Sequence, residues 1–313
     1  MNELTRVIVA GDEFRHQPGP QPGWRENWWL CYFDQKQRLN GMVYTGVTPN
    51  RGVGFAMFCL WENDRPLFII DQSGLSLTPA EPSIGGAGPV RFRCEEPMRR
   101  WNVQVQNSHV TADLTWTALA PAYDWNWGEV TESRHFEQSG TVTGRITVSG
   151  RTLEIDGCGQ RDRAWGNRPP SLLDQAWSSR VLFSPTDLQH ASIITIKGKP
   201  HLFGYRIRDG KAELIDSLDL HVAYGYPGGP PISTELQAWS GQTLIADQQV
   251  RILNCIPRSD IQNGTDSRQF FTFSDWFEGS ATGIGQLDLW WAKRDAISEH
   301  LTAKGNNGVW VTQ

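Results

Sequence analysis

Turn dipeptides recur through this chain between short stretches of alternating apolar and polar residues, and that punctuation excludes most folds other than a β-protein. The stretch TVTGRITVSGRTLEIDG (141–157) shows the pattern: two alternating runs separated by Ser149-Gly150, a pair suited to the tight turn of a two-residue hairpin. Asp209-Gly210 and Ser240-Gly241 punctuate the chain in the same way. Alternation of period two sends successive side chains to opposite faces of a sheet. Helical periodicity is scarce; DAISEHL (295–301) is the best candidate for a short helix, and it lacks a strong cap. The expected class is all-β.

The two halves of the chain also echo each other. ENDRPLFIIDQSG (62–74) aligns with KGKPHLFGYRIRDG (197–210), pairing Phe68 with Phe203 (203 − 68 = 135) and Gly74 with Gly210 (210 − 74 = 136). FEQSGTVTG (136–144) aligns with FEGSATGIG (277–285) at 277 − 136 = 141, making Glu278 the counterpart of Glu137. Carried back, that offset lays RDRAWG beside WRENWW near residue 24, so each half would open on a tryptophan-bearing strand. The expectation is two consecutive β-barrels or curved sheets, residues 1–150 and 151–313, with the seam near 148–158.

At 313 residues the chain is long enough for two such cores. A formal net charge of −5 with no basic block removes the electrostatic footprint of a duplex-binding protein, so no nucleic-acid partner is expected. The fifteen tryptophans suit bulky β-cores or a pocket for a large, mostly apolar ligand. Five widely spaced cysteines with no C-x-x-C make a disulfide framework or a zinc ribbon a poor fit. The opening MNELTRVIVAGDEFRH shows no apolar stretch followed by a small-residue cleavage site, and no run of about eighteen apolar residues occurs. A soluble protein of the reducing cytoplasm, without stable membrane insertion, is expected; the sequon NGT (263–265) then marks only a turn.

Three stretches carry a family resemblance: WRENWWLCYFD, YTGVTPNRGVG and HFEQSGTVTGRITVSGRTLEIDGCGQRDRAWGNR. Together they resemble the bacterial tandem-lipocalin (calycin) proteins of the carotenoid 1,2-hydratase (hydroxyneurosporene synthase) and AttH-like superfamily, in particular an uncharacterised branch. The resemblance spans nearly the whole chain and is most specific over 135–166. It implies two lipocalin-like β-domains with a ligand pocket in or between them. Hydration of a terpenoid double bond, or cyclisation including the Diels–Alder type, is the implied chemistry, with no organic cofactor. In the hydratases an aromatic usually stands where this chain has Gln160, and a histidine where it has Arg161 or Arg163, whereas Asp162 and Trp165 match.

Asp162 is the leading candidate acid. Protonating an alkene needs a carboxylic acid in apolar surroundings and π-faces near the developing cation, and Trp165 stands three residues on. The alternative is an ionised carboxylate paired with Arg161, Arg163 or Arg168, although strand alternation points the first two away from it. Glu26, among tryptophans in WRENWW, is a catalytic candidate or one half of a core salt bridge to Arg25 or to that arginine group. Trp28 and Trp29 beside it are counted as substrate-binding. His135 and Glu137 share one face of their strand, where they would relay protons and position water, or else form a solvated polar pair. Tyr123 and Asp124 would line the mouth of the first barrel or form an aromatic-capped loop. Gln160, Trp177, Tyr205 and Trp276 complete the candidate pocket wall, with ordinary core placement as the alternative for the aromatics.

No G-x-G-x-x-G frame follows a strand, no G-x-S-x-G elbow occurs, and the seven histidines form no H-x-H or H-E-x-x-H, so neither a cofactor nor a metal is expected. The sequence reading is a hydratase or dehydratase acting by acid catalysis on a C=C bond or alcohol of a hydrophobic terpenoid, steroid-like or aromatic molecule. The alternatives are a cyclase and a non-catalytic carrier of such a ligand.

Overall fold

Alternating runs become strands throughout residues 7–77, 81–126, 131–167, 173–259, 268–291 and 298–311, the residues described by the computed structural model. The chain forms two units, Met1–Arg168 with Val309–Gln313, and Pro169–Gly308. In the first, the strands are β1 (Trp24–Asp34), β2 (Leu39–Thr48), β3 (Val53–Glu62), β4 (Arg65–Ser76), β5 (Ile84–Gly85), β6 (Val90–Glu96), β7 (Arg100–Gln106), β8 (Val110–Ala118), β9 (Tyr123–Asp124), β10 (Glu132–Val148) and β11 (Arg151–Asn167). They lie in the hydrogen-bonded order β4-β3-β2-β1-β11-β10-β8-β7-β6-β5, with β9 pairing β10.

The second unit runs through β12 (Leu173–Ser184), β13 (Asp187–Ile196), β14 (Lys199–Arg208), β15 (Lys211–Leu214), β16 (Ser217–Tyr224), β17 (Pro231–Ser240), β18 (Thr243–Ser259), β19 (Arg268–Glu278), β20 (Ala281–Trp291) and β21 (His300–Lys304). Its order is β15-β14-β13-β12-β20-β19-β18-β17-β16-β21. The last strand, β22 (Val309–Trp310), returns to the first unit and pairs β9. Each sheet curves into a half-barrel, giving two lipocalin-like domains.

Hairpins form at Ser149-Gly150, where the φ angles are 49° and 79°, and at Asp209-Gly210, while the third turns one residue later than expected, at Gly241-Gln242, with Ser240 paired to Thr243. Elsewhere the structure departs from the sequence reading. The expected seam at 150/151 falls inside the β10–β11 hairpin, whose ladder runs unbroken from Glu132↔Asn167 to Val148↔Arg151. Because β11 also pairs with β1, it belongs wholly to the first unit, and the division lies at Arg168. In the stretch expected as a helix, 295–297 lie outside the described residues, while His300 and Leu301 open β21. The sequon at 263–265 also lies outside the described residues.

The repeat is present, in a different register from the expected one. Position by position, β1 corresponds to β12, β10 to β19 and β11 to β20. GCGQRDRAW (157–165) on β11 therefore matches GIGQLDLWW (283–291) on β20 without a gap, at 283 − 157 = 126, sharing G-x-G-Q-x-D-x-x-W. RDRAWG thus closes the first unit and does not open the second. Phe68 and Phe203 fall on β4 and β14, which are not equivalent strands, because β14 occupies the place of β3.

The shared glycines have a packing cause. A Cβ on Gly159 would stand 2.3 Å from the Cys31 carbonyl oxygen, and one on Gly285 would stand 2.5 Å from that of Arg180. In both units the closing strand approaches the opening strand too closely for a side chain there. Gly159→Ala is expected to destabilise the protein by about 1–3 kcal/mol through overpacking, seen as a lower urea midpoint with an unchanged m value.

The cores lie on the concave side of each sheet. In the first unit Trp28, Leu30 and Tyr32 of β1 meet Phe58, Leu114, Trp116 and Val142. In the second, Trp177, Val181, Leu220, Trp276, Leu287 and Trp291 do the same. Residues at i and i+2 along β1 and β11 are therefore core, and their neighbours in sequence face the other way.

Candidate functional site

Strand β11 sorts the residues of QRDRAW onto its two faces. Arg161 and Arg163 point inward with Trp28 and Leu30, where an unpaired guanidinium would carry a large desolvation cost. The N-terminal segment supplies the compensating charges. Glu13 accepts from Arg161 Nη1 at 3.0 Å and Nη2 at 2.5 Å, and also from Met98 N and Trp101 Nε1 at 2.8 and 3.0 Å. The Arg161 guanidinium lies 4.5 Å from the Trp101 ring centre and 4.7 Å from that of Trp116.

Arg163 donates to Glu26 and to the Phe14 carbonyl (2.9 Å), and it stacks 4.3 Å over Trp28. His16 packs flat on Trp165 at 4.2 Å and its backbone N–H donates to Glu26 Oε1 at 2.8 Å. Burial pushes the Glu26 carboxyl up, but the Arg163 charge and the His16 and Arg163 hydrogen bonds outweigh it and hold the group below its ordinary value. Glu26 is therefore the ionised half of a core ion pair, on the face of the sheet opposite to Asp162.

The opposite face gathers Asp162, Gln160, Glu137 and His135. The β10–β11 register sets Glu137 beside Asp162, and Ser139 beside Gln160, while His135 lies one step along β10 on the same side. His135 Nε2 is 3.6 Å from Glu137 Oε1 and 3.6 Å from Asp162 Oδ2. Gln160 Nε2 donates to the other oxygen of Glu137, fixing its rotamer. Glu137 is wholly buried, and the Asp162 side chain keeps 14% of its exposure. Trp125 stacks on the His135 ring at 3.9 Å and 17°, and Trp29 stands opposite Asp162 on β1. A histidine within reach of two carboxyl groups, flanked by indole faces, can pass a proton between them.

The remaining candidates divide as follows. Tyr123 stands opposite Glu137 on β9 and meets the Trp310 ring edge to face at 5.4 Å. Asp124 forms an ion pair with Arg134; burial raises its carboxyl above the ordinary value despite that charge. Trp165 is not a neighbour of Asp162: three residues apart in a strand means opposite faces, and Trp165 packs with His16 and Phe136. Trp28 is a core residue under Arg163. Trp177 and Trp276 lie in the core of the second unit, and Tyr205 stands opposite His190 on its other face. Arg168, an alternative partner for Asp162, lies outside the described residues.

Sequence reasoning missed Trp125 and Glu13. It also missed the second copy of the motif, although the gap-free match at 126 was open to inspection. That copy keeps Gln286 and Asp288, but Asp288 is paired with Arg180 at 2.9 Å and stands opposite Phe271 where the first unit has Glu137. Glu278 is not the counterpart of Glu137; it binds Arg206 at 2.8 Å. A shallow groove lined by Thr111, Asp113, Arg145 and Glu154 lies eight residue pairs along the β10–β11 ladder from Glu137, about 27 Å at strand spacing, and carries only solvent-screened charges.

Among the described residues two groups have the spacing for a metal ion: His135, Glu137 and Asp162, and, in the second unit, Asp219, His221 and His300. Among the described residues no helix is long and apolar enough to cross a membrane.

The model of one protein family, described as a domain of unknown function (DUF7064), matches residues 10–293. No curated protein sequence matches the chain. Among solved structures the chain resembles kievitone hydratase from Nectria haematococca, at a TM-score of 0.65 and 17% identity over 94% of this chain and 96% of that one. An AttH-like protein from Nitrosomonas europaea follows at 0.63 and 13% identity, covering 85% and 92% of the two chains. CghA, in its structure with Sch210972, gives 0.64 and 12% identity over 87% and 89%. At these identities the likeness concerns the fold.

Proposed function

Since the chain belongs to the DUF7064 family, whose description states no function, we propose from the site itself that it is an enzyme adding water to, or removing it from, a hydrophobic organic molecule by acid–base chemistry. The observation that carries this reading is the placement of His135 Nε2 3.6 Å from both Glu137 and Asp162 on one buried face with Trp29 and Trp125. In hydration, Asp162 gives its carboxyl proton to one alkene carbon. The indole faces shelter the cation that forms on the other carbon. Water adds to that cation and its proton passes through His135, with Glu137 holding the water, back to Asp162. Dehydration runs the same steps in reverse.

Two structural neighbours support the reading by analogy of fold: one is kievitone hydratase, and the other, CghA, was solved with Sch210972. The preferred substrate is a terpenoid, steroid-like or aromatic alkene or alcohol, because the polar groups of the site are few and the indoles beside them large. The test is incubation of the purified protein with a panel of such alkenes and alcohols in deuterated water, followed by mass spectrometry. Deuterium bound to carbon in the product, with no added cofactor, is the expected result. Tight binding without turnover across the panel would replace the enzyme with a carrier.

A further inference from the structure

We infer that the outer face of the second unit carries a site for a divalent transition-metal cation, formed by Asp219, His221 and His300 and unconnected with the chemistry proposed above. In LDLHVAY (218–224), Leu218, Leu220 and Val222 are buried while Asp219 and His221 face outward. In HLTAK (300–304), Leu301 and Ala303 are buried and His300 faces outward. The antiparallel register of β16 and β21 sets His221 directly opposite His300, so both imidazoles leave the sheet on one side with Asp219 two residues along.

Three ligand atoms lie within 4.8 Å of one another. His300 Nε2 lies 2.7 Å and His221 Nε2 3.7 Å from the same oxygen, Asp219 Oδ1, and the two rings stack at 4.0 Å and 11°. Tetrahedral bonds of about 2.0–2.1 Å place ligand atoms about 3.3 Å apart, a value between those two distances; the stacked rings point their Nε2 lone pairs side by side, so binding requires one exposed imidazole to turn about its χ angles. Glu235 stands opposite His221 on the next strand, β17, with its exposed side chain on the same face.

Two imidazole nitrogens and a carboxylate oxygen select borderline ions. Zinc, nickel and copper fit the set; magnesium and calcium require oxygen ligands. His300 and His221 come from strands that meet only through tertiary pairing, so an ion there would tie the edge strand β21 to β16. With half their surface open, the histidines leave coordination positions for water or for a group brought by another molecule.

The experiment is calorimetric titration of zinc chloride into the full-length protein, untagged and stripped with EDTA, beside its His221→Ala, His300→Ala and His135→Ala variants. Expected are one high-affinity equivalent in the parent and in His135→Ala, and at least a tenfold loss of affinity in each of the other two. Zinc should also raise the Tm of the parent and leave that of His221→Ala unchanged. Binding that survives in His221→Ala and His300→Ala but is lost in His135→Ala would move the metal to the buried cluster and overturn the inference. Absence of binding at about 100 μM zinc would overturn it as well.

Discussion

Asp162→Asn is expected to lower turnover in the deuterium assay by about 10²–10⁴-fold, the contribution typical of a positioned general acid, while the fold persists. Asparagine keeps the shape of the side chain and removes the transferable proton. Arg161 and Arg163 are committed to Glu13 and Glu26 on the other face, while the Asp162 side chain keeps 14% of its exposure. Because the two side chains are nearly isosteric, the variant should keep the native β-sheet circular-dichroism spectrum, and turnover is compared only on protein that does. His135→Asn should cost activity through the relay and alter the pH profile of turnover, whereas Asp162→Asn should lower turnover by a similar factor at every pH. An Asp162→Asn protein with turnover within twofold of the parent would end the assignment of Asp162 as the acid.

Glu13→Gln is expected to destabilise the first unit by about 3–5 kcal/mol, the cost of leaving one partner of a buried ion pair uncompensated. Arg161 retains only 1% of its exposure, so water cannot replace the lost carboxylate. Burial already pulls the Arg161 guanidinium below its ordinary value, and the Glu13 charge is what opposes that pull. At about 2–4 °C per kcal/mol for a unit of this size, the melting temperature should fall by about 6–20 °C. The double variant Glu13→Gln with Arg161→Met should recover much of that loss, because it removes both buried charges. A fall below about 1 kcal/mol in Glu13→Gln would show that the Arg161 charge is compensated by Gln138 and the stacked indoles alone.

Much of this was legible before any coordinates. Ser149-Gly150 announced the hairpin that brings β10 onto β11, and alternation placed His135 and Glu137 on one face and separated Asp162 from Arg161 and Arg163. The same rule, applied to Trp165, would have removed it from the site, since an odd separation along a strand reverses the face. Glu26 was legible as a carboxylate needing a buried cation, but not which arginine would supply it. The F-E-x-S echo points to an offset of 141, whereas the equivalent strands carry the G-x-G-Q-x-D-x-x-W match at 126. Only the matched ladders of β11 and β20 give that motif its reason, a close approach to β1 and β12 that excludes a side chain.

The sequence by itself determined the local geometry: where the chain turns, which residues share a face, and that the product is β-sheet. These follow from steric rules acting over two to four residues, and they hold in any fold. The tertiary structure decided which strands became neighbours. That choice set His135 beside Asp162, joined Glu13 to Arg161 across 148 residues, and brought His300 against His221. Such pairings depend on how buried area and buried charge balance over a whole sheet, a sum that no short stretch of sequence contains.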